Sequence, residues 1–421
     1  MHPVRILGTE IGSHALSEAS AARIGRADML VGGAALLERW STLCPSAELL
    51  SLGGPQAVPL SQILERIKDA WQANLRVVVL ADGDPLYFGI GASLARALPA
   101  KALRFAPGLS SLQCACARLG LVWPLVPSVS LHGRDDWRRL AVAFAVGCAS
   151  GSPVCVLGDV SHGPRAVAEW LQERGALCRL HVFTDLNTGA EAHQEYSLDE
   201  ATRLNVDPPA PTMLLFPDEQ PRPDRLDSHL PQTDGELLTK LPVRAAAVAQ
   251  LRLRPESVVW DIGSGSGSVA FAASALAWAG WVCAVERQER RSAMIRENRR
   301  ALGALNVDIL TTHAPLGLES LPNPDAIFLG GGLGGNSHDE TKTHEFLQIL
   351  MHRLKPGGRM VTACTLLASL ERVRTFASAQ KYPAEILMVQ AAESVLLAQD
   401  VRLVGHNPVF LVRLTKPATR S

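Results

Sequence analysis

Apolar residues in this chain gather in short unbroken runs, and most runs end at a glycine-bearing turn that leads into a helical pattern. Arg76-Val77-Val78-Val79-Leu80-Ala81 is the plainest case, a run of the kind that a parallel sheet buries on both faces. It passes into Asp82-Gly83-Asp84-Pro85-Leu86-Tyr87-Phe88-Gly89, where a helix is predicted with Pro85 in its first turn. Earlier, residues 4–8 and 28–32 read as strands, and residues 20–26 and about 61–72 as helices. Residues 105–113 read as strand, turn and capped helix. The second half repeats the alternation. Strands are predicted at 258–262, 281–285, 306–310 and 325–329, with a helix rich in basic residues over about 289–301 that carries Asn298. Leu354-Lys355-Pro356-Gly357-Gly358-Arg359 is a turn before a fifth strand. Two uncharged runs, 140–156 and 268–285, approach the length of a membrane span. Gly147 and Ser150-Gly151-Ser152-Pro153 break the first and Gly280 divides the second, so both read as helix–turn–strand pairs.

The second half is organised around Val258-Val259-Trp260-Asp261-Ile262-Gly263-Ser264-Gly265-Ser266-Gly267-Ser268. A buried strand is followed by an acid and a glycine turn that opens a helix. Such a turn lets backbone N–H groups approach a ligand with no Cβ in the way. The dinucleotide spacing G-x-G-x-x-G fails, because Ser268 stands where the third glycine would fall. What remains is D-x-G-x-G-x-G. A second acid, Glu286, ends the next strand, where a carboxylate can accept two hydrogen bonds from ribose hydroxyls. The pattern resembles the first motif of the class I S-adenosylmethionine (SAM) methyltransferases. The plain alternative is a glycine turn that only packs a helix on a sheet.

A length of 421 residues suggests two or three domains. Acidic and basic residues number 41 each, and no basic run occurs, which argues against nucleic acid or an anionic membrane surface as partner. Of the eight cysteines only Cys114 and Cys116 are close. C-x-C is no zinc signature, so no metal site is expected, and free thiols in a reducing cytoplasm are the better reading. The N-terminus reads as a strand and not as a secretion signal. Pro217, Pro221, Pro223 and Pro231, with charges between them, mark an extended linker over 219–235. The expected domains are therefore 1–218 and 236–421.

Three pieces of the first half, each a capped turn when taken singly, resemble together and in order the tetrapyrrole (corrin/porphyrin) methylase family. They are Gly83-Asp84-Pro85-Leu86-Tyr87-Phe88-Gly89, then Pro107-Gly108-Leu109-Ser110-Ser111-Leu112-Gln113 followed by Ala117-Arg118-Leu119-Gly120, and Ser130-Leu131-His132-Gly133-Arg134. The likeness is greatest to the C5-methylating cobalt-precorrin branch and covers about residues 1–215. The family's first loop usually reads V-G-x-G-P-G; here Leu7-Gly8-Thr9-Glu10-Ile11-Gly12 puts a charge, Glu10, in that turn. In the second half, Thr239-Lys240-Leu241-Pro242-Val243-Arg244-Ala245, the acid–glycine stretch, Ala284-Val285-Glu286-Arg287, Ala314-Pro315 and Phe328-Leu329-Gly330-Gly331-Gly332 resemble the C15-methylating, decarboxylating precorrin methyltransferases over about 228–421. Those proteins commonly carry a glutamate where this chain has Ala272. Asn407-Pro408-Val409-Phe410 is superficially like N-P-P-Y but follows the wrong strand, and reads as a strand start.

The resemblance implies an α/β fold of two domains, a tetrapyrrole-methylase-like domain followed by a class I (Rossmann-like) SAM methyltransferase domain. It implies one SAM site in each. Asp82, Gly83, Asp84, Ser110, Ser111 and Thr212 are the candidates in the first domain; Asp261, Gly263, Gly265, Gly267, Glu286 and Ala314 are those in the second. The implied activity is methylation of a precorrin at ring positions 5 and 15, with loss of CO2 from the ring C acetate, in cobalamin biosynthesis. A cytoplasmic homo-oligomer is implied as well. The acceptor carbon is itself the nucleophile, so no Ser, Cys or His nucleophile is needed. Alignment is the protein's share, worth up to roughly 7–11 kcal/mol. A substrate rich in carboxylates calls for Arg or Lys. Arg134 is the candidate in the first domain. Lys240 and Arg244 are those in the second, sharing a helix face at i, i+4 unless they are a solvated surface pair. His313 is a candidate to move a proton, and Gly331, Gly332 and Gly334 to hold the macrocycle edge through backbone N–H groups. Two other readings are an RNA or small-molecule methyltransferase with an accessory domain, and a scaffold in which one half has lost SAM. Salt-dependent RNA binding would favour the first, and a count of bound SAM would decide the second.

Overall fold

The computed structural model describes the chain apart from residues 13–15, 55–56, 219–224, 226–229, 234–238, 331–332, 334–339, 398–399 and 419–421. It divides into two units. One comprises Met1–Asp135, Ser152–Ala166 and Arg179–Phe216; the other comprises Asp136–Gly151, Val167–Cys178 and Pro217–Ser421.

In the first unit the apolar runs become parallel strands: β1 (Val4–Thr9), β2 (Met29–Gly32), β3 (Glu48–Ser51), β4 (Val77–Asp82) and β5 (Leu103–Ala106), in the order β3-β2-β4-β1-β5. The run at β4 is unbroken because both its faces are covered. Val77 and Val79 pack against Ile63, Ile67 and Trp71 of the helix Leu60–Gln72; Val78 and Leu80 pack against Ile24, Leu36 and Leu37. A second sheet holds β6 (Ser128–Ser130), β7 (Val154–Leu157), β8 (Cys178–Thr184), β9 (Ala192–Ser197) and β10 (Thr212–Pro217), in the order β6-β7-β10-β8-β9. The helix Ser111–Leu119 packs Leu112, Cys114 and Cys116 against Cys155, Phe183 and Leu214 of that sheet.

One helix starts later than its proline suggests. It spans Gly91–Ala97, and residues 85–90 turn first. The Pro85 carbonyl accepts from Gly91 N at 2.9 Å, and a Cβ at Gly89 or Gly91 would come within 2.8 or 2.5 Å of that oxygen. The glycines thus wrap the chain over Pro85 where a helix was expected to begin.

The second unit is built on seven strands: β11 (Val258–Ile262), β12 (Trp281–Glu286), β13 (Val307–Thr311), β14 (Ala326–Leu329), β15 (Arg359–Cys364), β16 (Ala384–Val389) and, after a separate hairpin of β17 (Ala392–Leu397) and β18 (Asp400–Gly405), β19 (Val409–Thr415). Their order is β13-β12-β11-β14-β15-β19-β16. The first five run parallel, and β19 is antiparallel to both of its neighbours. The helices Ser268–Leu276 and Glu289–Leu302 pack Ala270, Ala273 and Ile295 against Val259, Val282 and Ala284. The helix Leu241–Leu251 packs Val243, Ala247 and Val248 against Ala272, Phe328 and Val361. Both uncharged runs are helix–turn–strand pairs: the helix Trp137–Ser150 before β7, and the helix Ser268–Leu276 before β12. No helix among the described residues is long and apolar enough to cross a membrane. Of the proline-rich stretch, Arg225 donates to the Gly303 carbonyl at 2.8 Å, and Gln232 N donates to Asn298 Oδ1 at 2.9 Å.

Ala272 is fully buried in that apolar cluster. Ala272→Glu is expected to destabilise the protein by roughly 3 kcal/mol or more, since the carboxylate would enter without a partner. Urea unfolding of the two proteins measures it.

Candidate functional site

The acid–glycine stretch folds into a loop whose shape depends on Asp261. That side chain is buried at the end of β11, between Ala284 of β12 and Phe328 of β14. Its Oδ2 accepts from Ser264 Oγ at 2.7 Å and from Ala270 N at 2.9 Å, so it ties the loop to the first turn of the following helix. Gly263, Gly265 and Gly267 all take positive φ, at 73°, 61° and 87°. A Cβ at Gly267 would come within 2.6 Å of the Phe271 ring, whereas one at Gly265 would meet nothing within 4 Å. The loop is therefore packed on one side and open on the other. Glu286, buried at the end of β12, accepts from Gly265 N at 2.9 Å through Oε2 and from Gln288 N at 3.0 Å through Oε1. Each oxygen keeps a lone pair for a ligand hydroxyl.

Two features fit SAM at this loop. Asp261 Oδ1 is buried with no hydrogen-bond partner among the described residues, and Gly265 presents an open backbone. Burial, the largest effect, pushes the Asp261 carboxyl up to about 6; hydrogen bonds from Ser264 and Ala270 oppose this, and the Glu286 charge adds to it. A cationic sulfonium or ammonium group close by would favour the ionised form.

The first unit has an analogous crevice. The loops after β1, β4 and β5 meet through glycines: Gly83 N donates to the Thr9 carbonyl at 2.7 Å, and a Cβ at Gly8 would fall 2.3 Å from Gly83 O and 2.4 Å from Gly108 N. Asp82, Gly83, Ser110 and Ser111 are brought to this junction, and an added Cβ at Gly83 would lie 3.2 Å from Ser110 Cα. Ser110 also caps the helix Ser111–Leu119 in a reciprocal box with Gln113. Asp84 Oδ1 accepts from Leu86 N at 2.8 Å and so closes the turn after Gly83. Thr212 is buried at the start of β10, opposite Leu157. Glu10 is exposed, so its charge points out of the glycine junction.

The remaining candidates separate. Arg134 is exposed beyond β6, in a turn where Gly133 N donates to Asp159 Oδ2 at 2.6 Å. Lys240 and Arg244 are not a solvated pair on one helix face. Lys240 is exposed and precedes the helix Leu241–Leu251, while Arg244 lies inside it and is buried. Pro242 explains the shift, because proline fits the first turn and the helix starts just before it. His313 and Ala314 follow β13, the histidine exposed. Gly331, Gly332 and Gly334 lie outside the described residues; Gly330 precedes them and its N donates to the Ile262 carbonyl at 3.0 Å.

Two contributors were given no role in the sequence reading. Ser264 is the partner of Asp261. Asn298, fully buried, donates to the Ser266 carbonyl at 2.9 Å and so braces the loop from the helix Glu289–Leu302. Its signal was present, since Ile295, Asn298 and Leu302 stand at i, i+3 and i+7 on the buried stripe of an otherwise charged helix.

The second unit's strand order, with its one reversed strand and with an acid–glycine loop after β11 and an acid after β12, is that of a class I methyltransferase; the first unit adds a second glycine-lined crevice. Residues 5–201 match the family described as Tetrapyrrole (Corrin/Porphyrin) Methylases, and residues 230–416 match the Precorrin methyltransferase domain. The chain is 33% identical over 307 residues to precorrin-6Y C(5,15)-methyltransferase [decarboxylating] of a Sinorhizobium species, covering 68% of this chain and 67% of that one. It is 30% identical over 381 residues to the protein of the same name from Mycobacterium tuberculosis strain CDC 1551 / Oshkosh, covering 85% and 86%. It is also similar to the crystal structure of precorrin-6y C5,15-methyltransferase from Geobacter metallireducens GS-15, with 33% identity and a TM-score of 0.40 over 44% of this chain and 93% of that one. The chain belongs to the precorrin-6Y C(5,15)-methyltransferase (decarboxylating) family.

An aspartate unfolded in water titrates near 3.8, and Asp261 near 6 in the fold. A carboxyl raised by folding contributes stability that is present below the lower value and lost as pH climbs to the upper one. Without SAM, the wild type should lose on the order of 2 kcal/mol relative to Asp261→Asn between pH 4 and pH 6, with a few tenths more lost before the gap levels off near pH 7. Urea midpoints at pH 4, 5, 6 and 7.5 read it directly.

Proposed function

We propose that the protein methylates precorrin-6Y at ring positions 5 and 15 and decarboxylates its ring C acetate, giving precorrin-8, with one SAM site in each half. The observation that carries this reading is the presence of two glycine-lined strand-end crevices in a single chain of this family. The domain over 1–218 serves position 5, and that over 236–421 serves position 15 and the decarboxylation, with 219–235 between them. When bound, SAM supplies a methyl group on a sulfonium. Glu286 holds ribose hydroxyls with its spare lone pairs, Gly263, Gly265 and Gly267 admit the ligand to the backbone, and Ala314 borders it. Asp82, Gly83, Asp84, Ser110, Ser111 and Thr212 do the corresponding work in the first domain. Neither methylation needs a protein nucleophile, because an electron-rich ring carbon attacks. Arg134 in one domain, and Lys240 and Arg244 in the other, hold substrate carboxylates. Loss of CO2 leaves an electron pair that the conjugated ring takes up, and His313 moves the accompanying proton. Gly331, Gly332 and Gly334 hold the ring's edge.

We also infer that the protein is a cytoplasmic homo-oligomer without a nucleic-acid partner. Its eight cysteines are all free thiols, and its charges balance. Every residue of β17 and β18 is exposed, including Leu396, Leu397, Val401 and Leu403. A lone two-stranded hairpin is marginal in water, and a second copy supplies its cover. Leu396→Asp with Leu403→Asp is expected to yield a smaller species by light scattering, with SAM binding retained.

The deciding experiment is product mass after anaerobic incubation with SAM and precorrin-6Y, read beside calorimetric SAM counts. Expected are two added methyl groups with one CO2 lost, and two SAM bound per chain. Gly8→Ala and Gly267→Ala should each bind one, because the new Cβ collides with the backbone at Gly83 and Gly108 in one, or with the Phe271 ring in the other, and so distorts one loop and leaves the other intact. SAM binding with no change in precorrin mass would sink the substrate assignment. One site in the wild type would sink the two-site reading.

A further inference from the structure

The carboxyl edge of the seven-stranded sheet continues past the cofactor loop on the side of β14 and β15. β15 ends at Cys364, and the next four residues, 365–368, are all exposed. Two are leucines, Leu366 with 58% and Leu367 with 70% of its surface in solvent. They do not belong to a frayed end. The helix Leu367–Gln380 starts here and buries Ser369, Val373, Phe376 and Ala377. Its first turns are pinned, because Ser369 Oγ and Arg372 Nη1 donate to the Leu333 carbonyl at 3.4 and 2.6 Å.

The strand register brings this run beside the cofactor loop. Ile262 pairs with Leu329 and Leu329 with Thr362, so Gly263, Gly330 and the end of β15 lie along one edge. A third exposed leucine reaches the same edge. The helix Leu241–Leu251 is tied at its carboxyl end to the opposite edge, where Arg359 Nη1, at the start of β15, donates to the Gln250 carbonyl at 3.2 Å. Its first residue, Leu241, therefore points toward the end of β15, with exposed Lys240 just before it. Exposed leucines scattered singly are ordinary. Three brought to the carboxyl edge of one sheet, where open α/β sheets bind their ligands, are not.

We propose that Leu366 and Leu367, with Leu241, form an apolar seat for the flat face of the tetrapyrrole, while Lys240 meets one of its peripheral carboxylates. This rests on the precorrin reading above. A conjugated macrocycle is an apolar plate rimmed by carboxylates, and leucines beside a lysine complement both parts. No acid lies in 365–368, and nearby Glu371 is paired with Arg374 at 3.1 Å. The leucines are positioning residues, taking no part in bond making.

The test is Leu366→Asn with Leu367→Asn in the full chain, assayed with precorrin-6Y and saturating SAM. CO2 release reports the second domain alone. Its KM for precorrin-6Y should rise at least about tenfold with kcat within about twofold, as for uniform binding lost to ground and transition state alike. C5 methylation, SAM affinity and the thermal midpoint should stay as in the wild type. Leu366→Met with Leu367→Met should restore the KM, which a polar seat would not require. An unchanged KM in the asparagine variant, with an active wild type, overturns the seat and leaves the enzyme assignment standing. A wild type that binds SAM yet releases no CO2 from precorrin-6Y overturns the substrate assignment instead.

Discussion

At the carboxyl edges of both parallel sheets, backbone must lie against backbone, and only glycine permits the approach. In the first unit Gly8, Gly83 and Gly108 close three loops on one another so tightly that a single methyl group has no room. In the second, Gly263, Gly265 and Gly267 hold positive φ while a buried aspartate fastens the turn from beneath. The two solutions differ. One is a junction of three separate loops; the other is one loop braced by side chains, Asp261 below, Glu286 beside and Asn298 behind. Both lie at the carboxyl ends of parallel strands, where open α/β sheets bind their ligands.

Asp261 has two effects that pull against each other. Its hydrogen bonds shape the loop, but its burial without a partner for Oδ1 costs folding free energy at neutral pH. Such a cost at a ligand loop is expected where the ligand relieves it, and the fold absorbs it through the apolar layers on each side of β11.

Much of this was legible in the sequence, for reasons that vary along the chain. The runs at β4, β11 and β12 announce themselves because both faces are covered and the acids they carry, Asp82, Asp261 and Glu286, stand only at their carboxyl ends. The acid–glycine loop is legible because its chemistry forbids other residues. β3, β9 and the β16–β18 region are hard to read because their strands are half or fully exposed, and β8 because Arg179 and His181 interrupt its buried residues. The start of the helix Gly91–Ala97 was misplaced because Pro85 suits a first helical turn, while the folding of Gly89 and Gly91 over its carbonyl depends on packing. Lys240 and Arg244 have helical spacing, yet one stands outside the helix and the other is buried, and periodicity cannot tell these apart.

The reversed strand has a consequence for synthesis. Among the described residues β16 pairs with the sheet through β19, and β15 has no strand neighbour on that side until β19 arrives. On the ribosome, β15 and β16 emerge first and must wait, the former with an open hydrogen-bonding edge, until Val409–Thr415 slides between them. The nascent second unit thus passes through a stage with an unpaired strand edge, the form of chain most prone to pair with a stranger. The first unit meets the same constraint, since its last strand, β10, enters between β7 and β8, which are made before it.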